Sequence, residues 1–303
     1  MIAQAPRQAT GQAPHQVAAS GALWVVATPI GHLDDLAPRA RDVLAAADCI
    51  AAEDTRVSRR LLARFGIAGR LVSYRDHNEA RLAPLLLARL QRGEHVALIS
   101  DAGTPLISDP GYRLVRAAQD AGIPVHPVPG PSAVLAALSV SGLPTDRFYF
   151  AGFAASRAGE RASQFREWAA LGCTVVLFVA IHDLAVGLDE MAEIFGPERE
   201  ACLARELTKR HETVRRAPLR ELAAWVKDDA EQQRGEAVLV VAGHRPPAER
   251  GVPAAAAALM SRLAAHLPPV TAARLTAETT GAPRRAIYQD WLKAADIESQ
   301  EKR

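Results

Sequence analysis

The sequence predicts an α/β protein: two α/β domains followed by a small helical C-terminal segment. Three observations lead there. Short apolar runs alternate with helix-forming stretches up to about residue 142, the pattern of a largely parallel sheet. A shorter alternation resumes after the turn-rich "GLPTDR" (Gly142–Arg147), and from Ala254 the chain is Ala-rich and helical in pattern. At 303 residues the chain also exceeds what one core usually holds. The divisions read this way are 1–22 as a disordered tail rich in Ala, Gln and Pro, 23–142, 143–245 and 254–303, with "HRPPAERGVP" as a linker.

Each element has a local reason. "LWVVA" (Leu23–Ala27) is an apolar run stopped by "TPIG", hence a first strand. "DDLAPRARDVLAAA" reads as a helix with Asp34 or Asp35 near its cap and Pro38 early, where proline is tolerated. "CIAAE" is a second strand, followed by the Arg-rich helix "RVSRRLLARF" that Gly66 closes. "RLVSY", the helix "EARLAPLLLARLQRG" and "HVALIS" come next, then the helix "YRLVRAAQDAG", the weaker strand "PVHPV" and the helix "SAVLAALSVSG". In the second half "FYFAGF", "CTVVLFVA", "EACLARE" and "EAVLVVA" read as strands, with helices around Gln164–Leu171, Asp183–Phe195 and Leu219–Asp228.

Bulk properties narrow the function. Apolar content of 49% with 23% charged residues fits a soluble globular protein. No apolar run approaches the ~18 residues of a membrane span, and the N-terminus lacks a secretory apolar core, so the expected location is cytoplasmic with no membrane partner. Cys49, Cys173 and Cys202 lie far apart and read as small apolar residues in a reducing compartment. Net charge is only +2, so affinity for nucleic acid must come from local patches. No metal-ligand spacing and no G-x-S-x-G elbow is present; no metal is expected.

In an open parallel sheet, ligands collect at the carboxyl ends of the strands. Two loops fit: "TPIGHLDD" after the first strand and "SDAGTPLISDPG" after the fourth. Neither has the glycine spacing of a dinucleotide fingerprint or a phosphate loop. In D-A-G-T-P, Gly103 lets a flat ligand approach the backbone, Pro105 fixes the turn, and Asp101 accepts bonds from hydroxyls or an amine. An adenosine-type ligand with a cationic amino-acid tail offers those groups. Both aspartates have the alternative of a plain turn or cap residue, and for Asp109, before Pro110 and a helix, that is the first reading. Ser132 of "VPGPSAV" reads as a helix cap. Glu53 and Asp54 of "AAEDTR" read equally as a surface ion pair with Arg56 or as substrate groups. "YRDHNE" crowds His77 and Glu79 at a strand end, a setting for proton transfer, although a lone loop histidine is more often structural.

Positive charge gathers at Arg56, Arg59, Arg60 and Arg64, at Arg205, Lys209, Arg210, Arg215, Arg216 and Arg220, and at Arg284 and Arg285. A solvated helix face is the commoner meaning of such sets, and several of them beside ligand loops raise the odds of a polyanionic substrate. "TAARLTAETTGAPRRAIYQDWLKA" has helix-turn-helix-like patterning around Gly281, though a plain helical hairpin fits the sequence as well.

In order and spacing, "ATPIGHLDDL", "AAEDTR", "DHNE", "SDAGTPLISDPGYRLVR", "PGPSAV", "GLPTDRF", "ARELTKRHET" and "GEAVLVVAGH" resemble the small-subunit ribosomal RNA ribose methyltransferases of the tetrapyrrole methylase superfamily. The resemblance spans roughly residues 23–290. It implies two α/β domains of the tetrapyrrole methylase type with S-adenosylmethionine in the cleft between them, and a homodimer. It also implies 2′-O-methylation of a cytidine ribose in the decoding region of 16S rRNA, within the small ribosomal subunit. By position, Pro29, Gly31, Asp101, Ala102, Gly103, Thr104, Pro129, Gly130 and Ser132 would line the cofactor cleft, faced by Phe153, Arg205, Glu206, Leu207 and Thr208. The RNA would meet Arg56, Arg59, Arg60, Lys209, Arg210, Arg284 and Arg285. The 2′-oxygen would attack the sulfonium methyl in line, with His77 or Glu79, and behind them Glu53 or Asp54, taking the proton. Two departures stand out: His32 replaces a usual Asn, and "FVAIHDL" replaces a Y-E-x-P-H-R-like string. Rival readings are a tetrapyrrole methyltransferase of precorrin type and a non-catalytic RNA-binding assembly factor.

Overall fold

Five short strands, β1 (Leu23–Val26), β2 (Cys49–Ala52), β3 (Leu71–Ser73), β4 (Val96–Ile99) and β5 (Val125–Val128), form a wholly parallel sheet in the order β3-β2-β4-β1-β5. The structure is a computed structural model and describes residues 21–244 and 252–301. Of the tail expected over residues 1–22, residues 1–20 lie outside the described residues, as do the linker residues 245–251, while Gly21 and Ala22 are described and buried at the start of the fold. Strands β2 and β4 are buried throughout, which is why they read as continuous apolar runs. Parallel pairing sends the carboxyl ends of β1, β2 and β4 to one edge, so the loops after them meet.

Helices α1 (Pro38–Ala46), α2 (Thr55–Arg64), α3 (Asp76–Gln91), α4 (Tyr112–Asp120) and α5 (Ala133–Ser141) connect these strands and lead out of β5. Two starts differ from the sequence reading. Asp34 and Asp35 belong to a separate 3-10 turn (Leu33–Asp35), and α1 begins at Pro38 without a side-chain cap. Helix α3 begins three residues earlier than its apolar periodicity suggests. The Asn78 side chain accepts the Arg75 N–H at 2.8 Å, so Asp76, His77 and Asn78 form a first helical turn rather than a loop.

The second sheet contains β6 (Phe148–Phe153), β7 (Thr174–Val179), β8 (Glu200–Arg205), β9 (Thr213–Pro218) and β10 (Ala237–Val241), in the order β6-β7-β10-β8-β9. Only β6 and β7 pair in parallel; the other neighbours are antiparallel. Strand β9, "TVRRAP", escaped the sequence reading because it is an edge strand with Val214, Arg215 and Arg216 exposed. Helices α6 (Ala158–Ala169), α7 (Leu184–Phe195) and α8 (Leu219–Asp228) belong to this half.

Strand β10 shows how this sheet is covered on both faces. Ala237, Leu239 and Val241 join a core with Phe165, Leu188, Leu203 and Leu222, while Val238 and Val240 join Val134, Ala137 and Leu138 of α5. That alternation is the two-residue period of a strand. A helix that follows the first sheet thus supplies the core of the second. Each valine, leucine or phenylalanine so buried contributes about 1.5–3 kcal/mol.

Residues 244–303 form a separate unit, in which α9 (Ala254–Ala264), α10 (Pro269–Thr280) and α11 (Arg284–Glu301) pack around Ala256, Met260, Ala272, Ala273 and Ile287. Gly281 ends α10 at φ 72°, the left-handed cap that glycine adopts without strain. Among the described residues no helix is long and apolar enough to cross a membrane.

Candidate active site

A cavity of about 460 Å³ opens where the loops after β2 and β4 face the second sheet. One wall carries the carboxylates Glu53, Asp101 and Asp109, with the backbone of Ala102–Thr104. The opposite wall is apolar: Phe153, Phe178, Ile181, Ala204, Leu207 and Val238. Phe153 is 55% exposed and rests on Phe178, with ring centroids 5.2 Å apart.

The carboxylate wall is held by backbone bonds. Thr28 and Gly103 exchange N–H···O bonds of 2.8 and 3.0 Å, with Gly103 at φ 83°, a conformation that suits glycine. Thr104 Oγ1 donates to the Pro131 carbonyl at 3.0 Å. Asp101 Oδ1 accepts the Asp54 N–H at 2.8 Å, joining the β4 loop to the start of α2.

Among the described residues four non-glycines have left-handed backbones, and all lie in the two loops that frame the cavity: Leu106, Ser108, Glu206 and Thr208. Each costs of order 1–3 kcal/mol and persists only where its surroundings hold it. Glu206 Oε1 accepts Lys209 Nζ and the Glu236 N–H, both at 2.8 Å. Thr208 Oγ1 accepts the His32 N–H at 3.0 Å, pinning the second loop to the first half of the chain. Gly31 explains the close approach: a Cβ there would stand 2.5 Å from Lys209 Cγ and 2.9 Å from the Leu207 carbonyl oxygen.

Burial and crowding set the charges. Burial, then the Asp101 and Asp76 charges, raises the Glu53 pKa. Burial also raises Asp101, with the Asp54 charge adding to it and the Asp54 N–H opposing it. Asp109 is pushed up to about 6, by burial first and then by Glu53. Asp54 behaves oppositely, because hydrogen bonds from the Arg56 side chain and N–H hold it well below the usual carboxylate range.

Of the residues expected at the cofactor, Asp101, Ala102, Gly103, Thr104, Ser132, Phe153 and Leu207 line the cavity. Gly31, Glu206 and Thr208 stand behind the wall as packing and turn residues. Pro29 is buried, and Pro129 and Gly130 are exposed, none of them in the lining. Arg205 is buried and spends its guanidinium on Gln232, the Arg234 and His211 carbonyls and Thr213. Of the four residues expected to take a proton, Glu53 alone lines the cavity. Asp54 caps α2 and pairs with Arg56 and Arg75; His77 is exposed on α3. Glu79 is buried and accepts from Tyr74 OH and from the N–H groups of Gly111 and Arg113, which caps α4.

The expected RNA contacts divide likewise. Arg56, Arg59 and Arg60 are exposed on α2, as is Arg210; Lys209 lines the cavity but is paired with Glu206 and Glu236. Arg284 and Arg285 are exposed at the start of α11, in the separate C-terminal unit.

The sequence reading assigned Asp109 to a turn, yet it lines the cavity, and the cap it was expected to supply comes from Glu79. Its signal was present: a second aspartate in the same strand-end loop as Asp101. The apolar wall gave none, because Phe178, Ala204 and Val238 look like ordinary core positions of strands. The divergent "FVAIHDL" segment contributes Val179, Ala180 and Ile181 to the wall, while His182 is exposed beside Asp183.

The cavity suits S-adenosylmethionine: carboxylates for cationic groups, a backbone at Ala102–Thr104 that Gly103 opens to close approach, and an aromatic face for a flat ring. Comparison with known proteins agrees. A family model described as Tetrapyrrole (Corrin/Porphyrin) Methylases matches residues 22–223, and one described as RsmI C-terminal HTH domain matches residues 250–294. The "Ribosomal RNA small subunit methyltransferase I" of Pseudomonas aeruginosa is 50% identical over 275 residues, covering 90% of this chain and 98% of that protein. Its namesake from Escherichia coli O157:H7 is 47% identical, covering 91% and 96%. Among solved structures, uroporphyrin-III-C-methyltransferase from Thermus thermophilus is similar with TM-score 0.52 and 26% identity, covering 73% of this chain and 94% of that one. The methyltransferase CobJ shares the fold with TM-score 0.56 at 21% identity, covering 75% and 97%. The chain therefore belongs to the tetrapyrrole methylase family and, within it, to the ribosomal RNA small subunit methyltransferase I family.

Proposed function

We propose that this protein transfers a methyl group from S-adenosylmethionine to the ribose 2′-oxygen of a cytidine in the decoding region of 16S rRNA. The observation that carries the reading is the two-sided cavity, carboxylates and the Ala102–Thr104 backbone facing a wall with two phenylalanines, in a chain half identical to named ribosomal RNA methyltransferases. Asp101 and the Ala102–Thr104 backbone would hold the cofactor, with Ser132, Phe153 and Leu207 completing its surroundings. When bound, S-adenosylmethionine supplies a methyl group made electrophilic by a cationic sulfur. The protein's chief contribution is alignment, worth up to about 7–11 kcal/mol in well-oriented reactions. Rigid framing loops serve that task. The apolar wall keeps bulk water from the reacting atoms. Glu53, at the carboxylate wall, adds negative charge on the side where the cationic cofactor would lie.

The RNA is read by Arg59 and Arg60 on α2, with Arg56 and Arg210, and by Arg284 and Arg285 in the helical unit. The working form is a homodimer in the cytoplasm, where its ribosomal substrate is. Residues 23–142 and 143–245 act as the two sides of one catalytic body, and 254–303 as an RNA-gripping unit.

A tritiated methyl-transfer assay tests this with small ribosomal subunits, naked 16S rRNA and a precorrin-type tetrapyrrole offered in parallel. Label at a ribose of the subunit is the expected result. Label on the tetrapyrrole alone overturns the reading, and failure to bind S-adenosylmethionine in calorimetry points to a non-catalytic assembly factor. Light scattering at micromolar concentration checks the dimer.

A further inference from the structure

We propose that Asp109 accepts the proton of the ribose 2′-hydroxyl during methyl transfer. The inference rests on the methyl-transfer reading and adds the acid–base partner it lacks. Joining a hydroxyl oxygen to a methyl carbon leaves a proton to be placed. As the O–C bond forms, the C–S bond breaks with its electron pair going to sulfur, and the O–H proton passes to the carboxylate.

The choice follows from what each carboxylate is already doing. Glu53 lines the cavity too, but the Asp101 N–H is bonded to its carboxylate and favours it as an anion. Glu79 has three donors on it and faces the start of α4, not the cavity. Asp54 is tied to Arg56 and Arg75. Asp101 lines the cavity but accepts the Asp54 N–H and is the group placed to meet the cofactor. Asp109 lines the same cavity, half-buried, and among the described residues its carboxylate has no arginine or lysine within ion-pair distance.

Its surroundings suit a base rather than a fixed anion. Burial raises its carboxyl first, the negative charges of Glu53 at the end of β2, Asp101 in its own loop and Asp76 on α3 add to that, and a hydrogen bond from the Ser100 hydroxyl works against them. Lys209, across the cavity, is neutralised by Glu206 and Glu236. The result is a carboxylate near 6, ionised at neutral pH yet more basic than an ordinary one, as a positioned acceptor should be. Ser108, the residue before it, is held left-handed beside Gly152 of the second sheet, whose added Cβ would lie 3.5 Å from Ser108 Oγ.

The test compares the wild type with Asp109→Asn and Asp109→Glu. Single-turnover methylation of small ribosomal subunits should slow by about 10²-fold or more in Asp109→Asn, the usual weight of a positioned base. S-Adenosylmethionine affinity by calorimetry should stay within about threefold, and Asp109→Glu should recover part of the rate. The wild-type rate should rise with pH to a plateau through about 6, and that rise should vanish in Asp109→Asn. Independently of activity, carboxyl ¹³C NMR of the free protein should show a resonance titrating near 6 that Asp109→Asn lacks. A wild-type rate in Asp109→Asn, a rate loss matched by lost cofactor affinity, or an Asp109 resonance titrating near the ordinary ~4 overturns the proposal. If the wild type labels no ribosomal subunit, the underlying methyl-transfer reading fails, and the proton role with it.

Discussion

Glu79 Oε1 accepts the Gly111 N–H at 3.0 Å, so a carboxylate on the first turn of α3 serves as the N-cap of α4. Gly111 itself has no side chain for the task, and the Arg113 N–H at 3.2 Å completes the cap. Glu79→Ala leaves two helix donors and the Tyr74 hydroxyl unpaired, with an expected cost of about 2–4 kcal/mol in urea denaturation. Glu79→Gln keeps an acceptor and should retain methyl transfer within about threefold; a loss of ~10²-fold would instead restore Glu79 to the chemistry.

Arg205 satisfies four acceptors from inside the second sheet. Lysine has neither the fork nor the reach, so Arg205→Lys should destabilise by roughly 2–3 kcal/mol. Thermal melting reads the loss. If stability is unchanged while cofactor affinity falls, the guanidinium acts on the ligand instead.

Gly31→Ala drives a methyl group against the Leu207 carbonyl oxygen, 2.9 Å away, and against Lys209. The framing loop must shift outward, at about 1–3 kcal/mol. Calorimetry should show S-adenosylmethionine affinity falling about tenfold, since ~1.4 kcal/mol of misfit suffices for that. Unaltered affinity would mean that the 206–209 turn does not shape the binding site.

Asp109 also bears on stability. The folded protein keeps its proton up to about pH 6, whereas the unfolded chain loses it near the ordinary ~4. Between those values the folded state binds more protons, so stability falls as pH rises through that window. Above pH 6 the penalty is complete, and Asp109→Asn removes it. The variant should gain up to about 2 kcal/mol at pH 7.5 and nothing below pH 4, read from urea midpoints at both values. A variant less stable at pH 7.5 would contradict the burial argument.

Arg59 and Arg60 are exposed on α2, with no carboxylate partner among the described residues. If each meets a phosphate, replacing both by Ala should lower the salt dependence of rRNA binding by about one to two in log–log slope. S-Adenosylmethionine affinity should not move. An unchanged slope would place the RNA elsewhere.

The alternation of apolar runs and helices made the parallel sheet readable, because β2 and β4 are buried on both faces and carry nothing polar. Strand β9 was not, since an edge strand bearing Arg215 and Arg216 looks like any charged stretch. The D-A-G-T-P loop could be recognised as a ligand loop from glycine and carboxylate chemistry alone. Whether a carboxylate faces a cavity or a helix end depends on tertiary placement: Glu79, expected to take a proton, caps α4, and Asp109, expected first at a turn or cap, lines the cavity. The same holds for Arg205, whose partners arrive from residues 211–234.

Helix α5 carries a consequence for the whole catalytic body. Val134, Ala137 and Leu138 fill the second sheet's face while their helix is chained to β5 of the first. Cutting the chain at residue 142 would strand an oily patch on each fragment, so neither half should survive expression by itself. The same helix resists any swinging apart of the two sheets, because parting them would bare Val134, Ala137 and Leu138 to water.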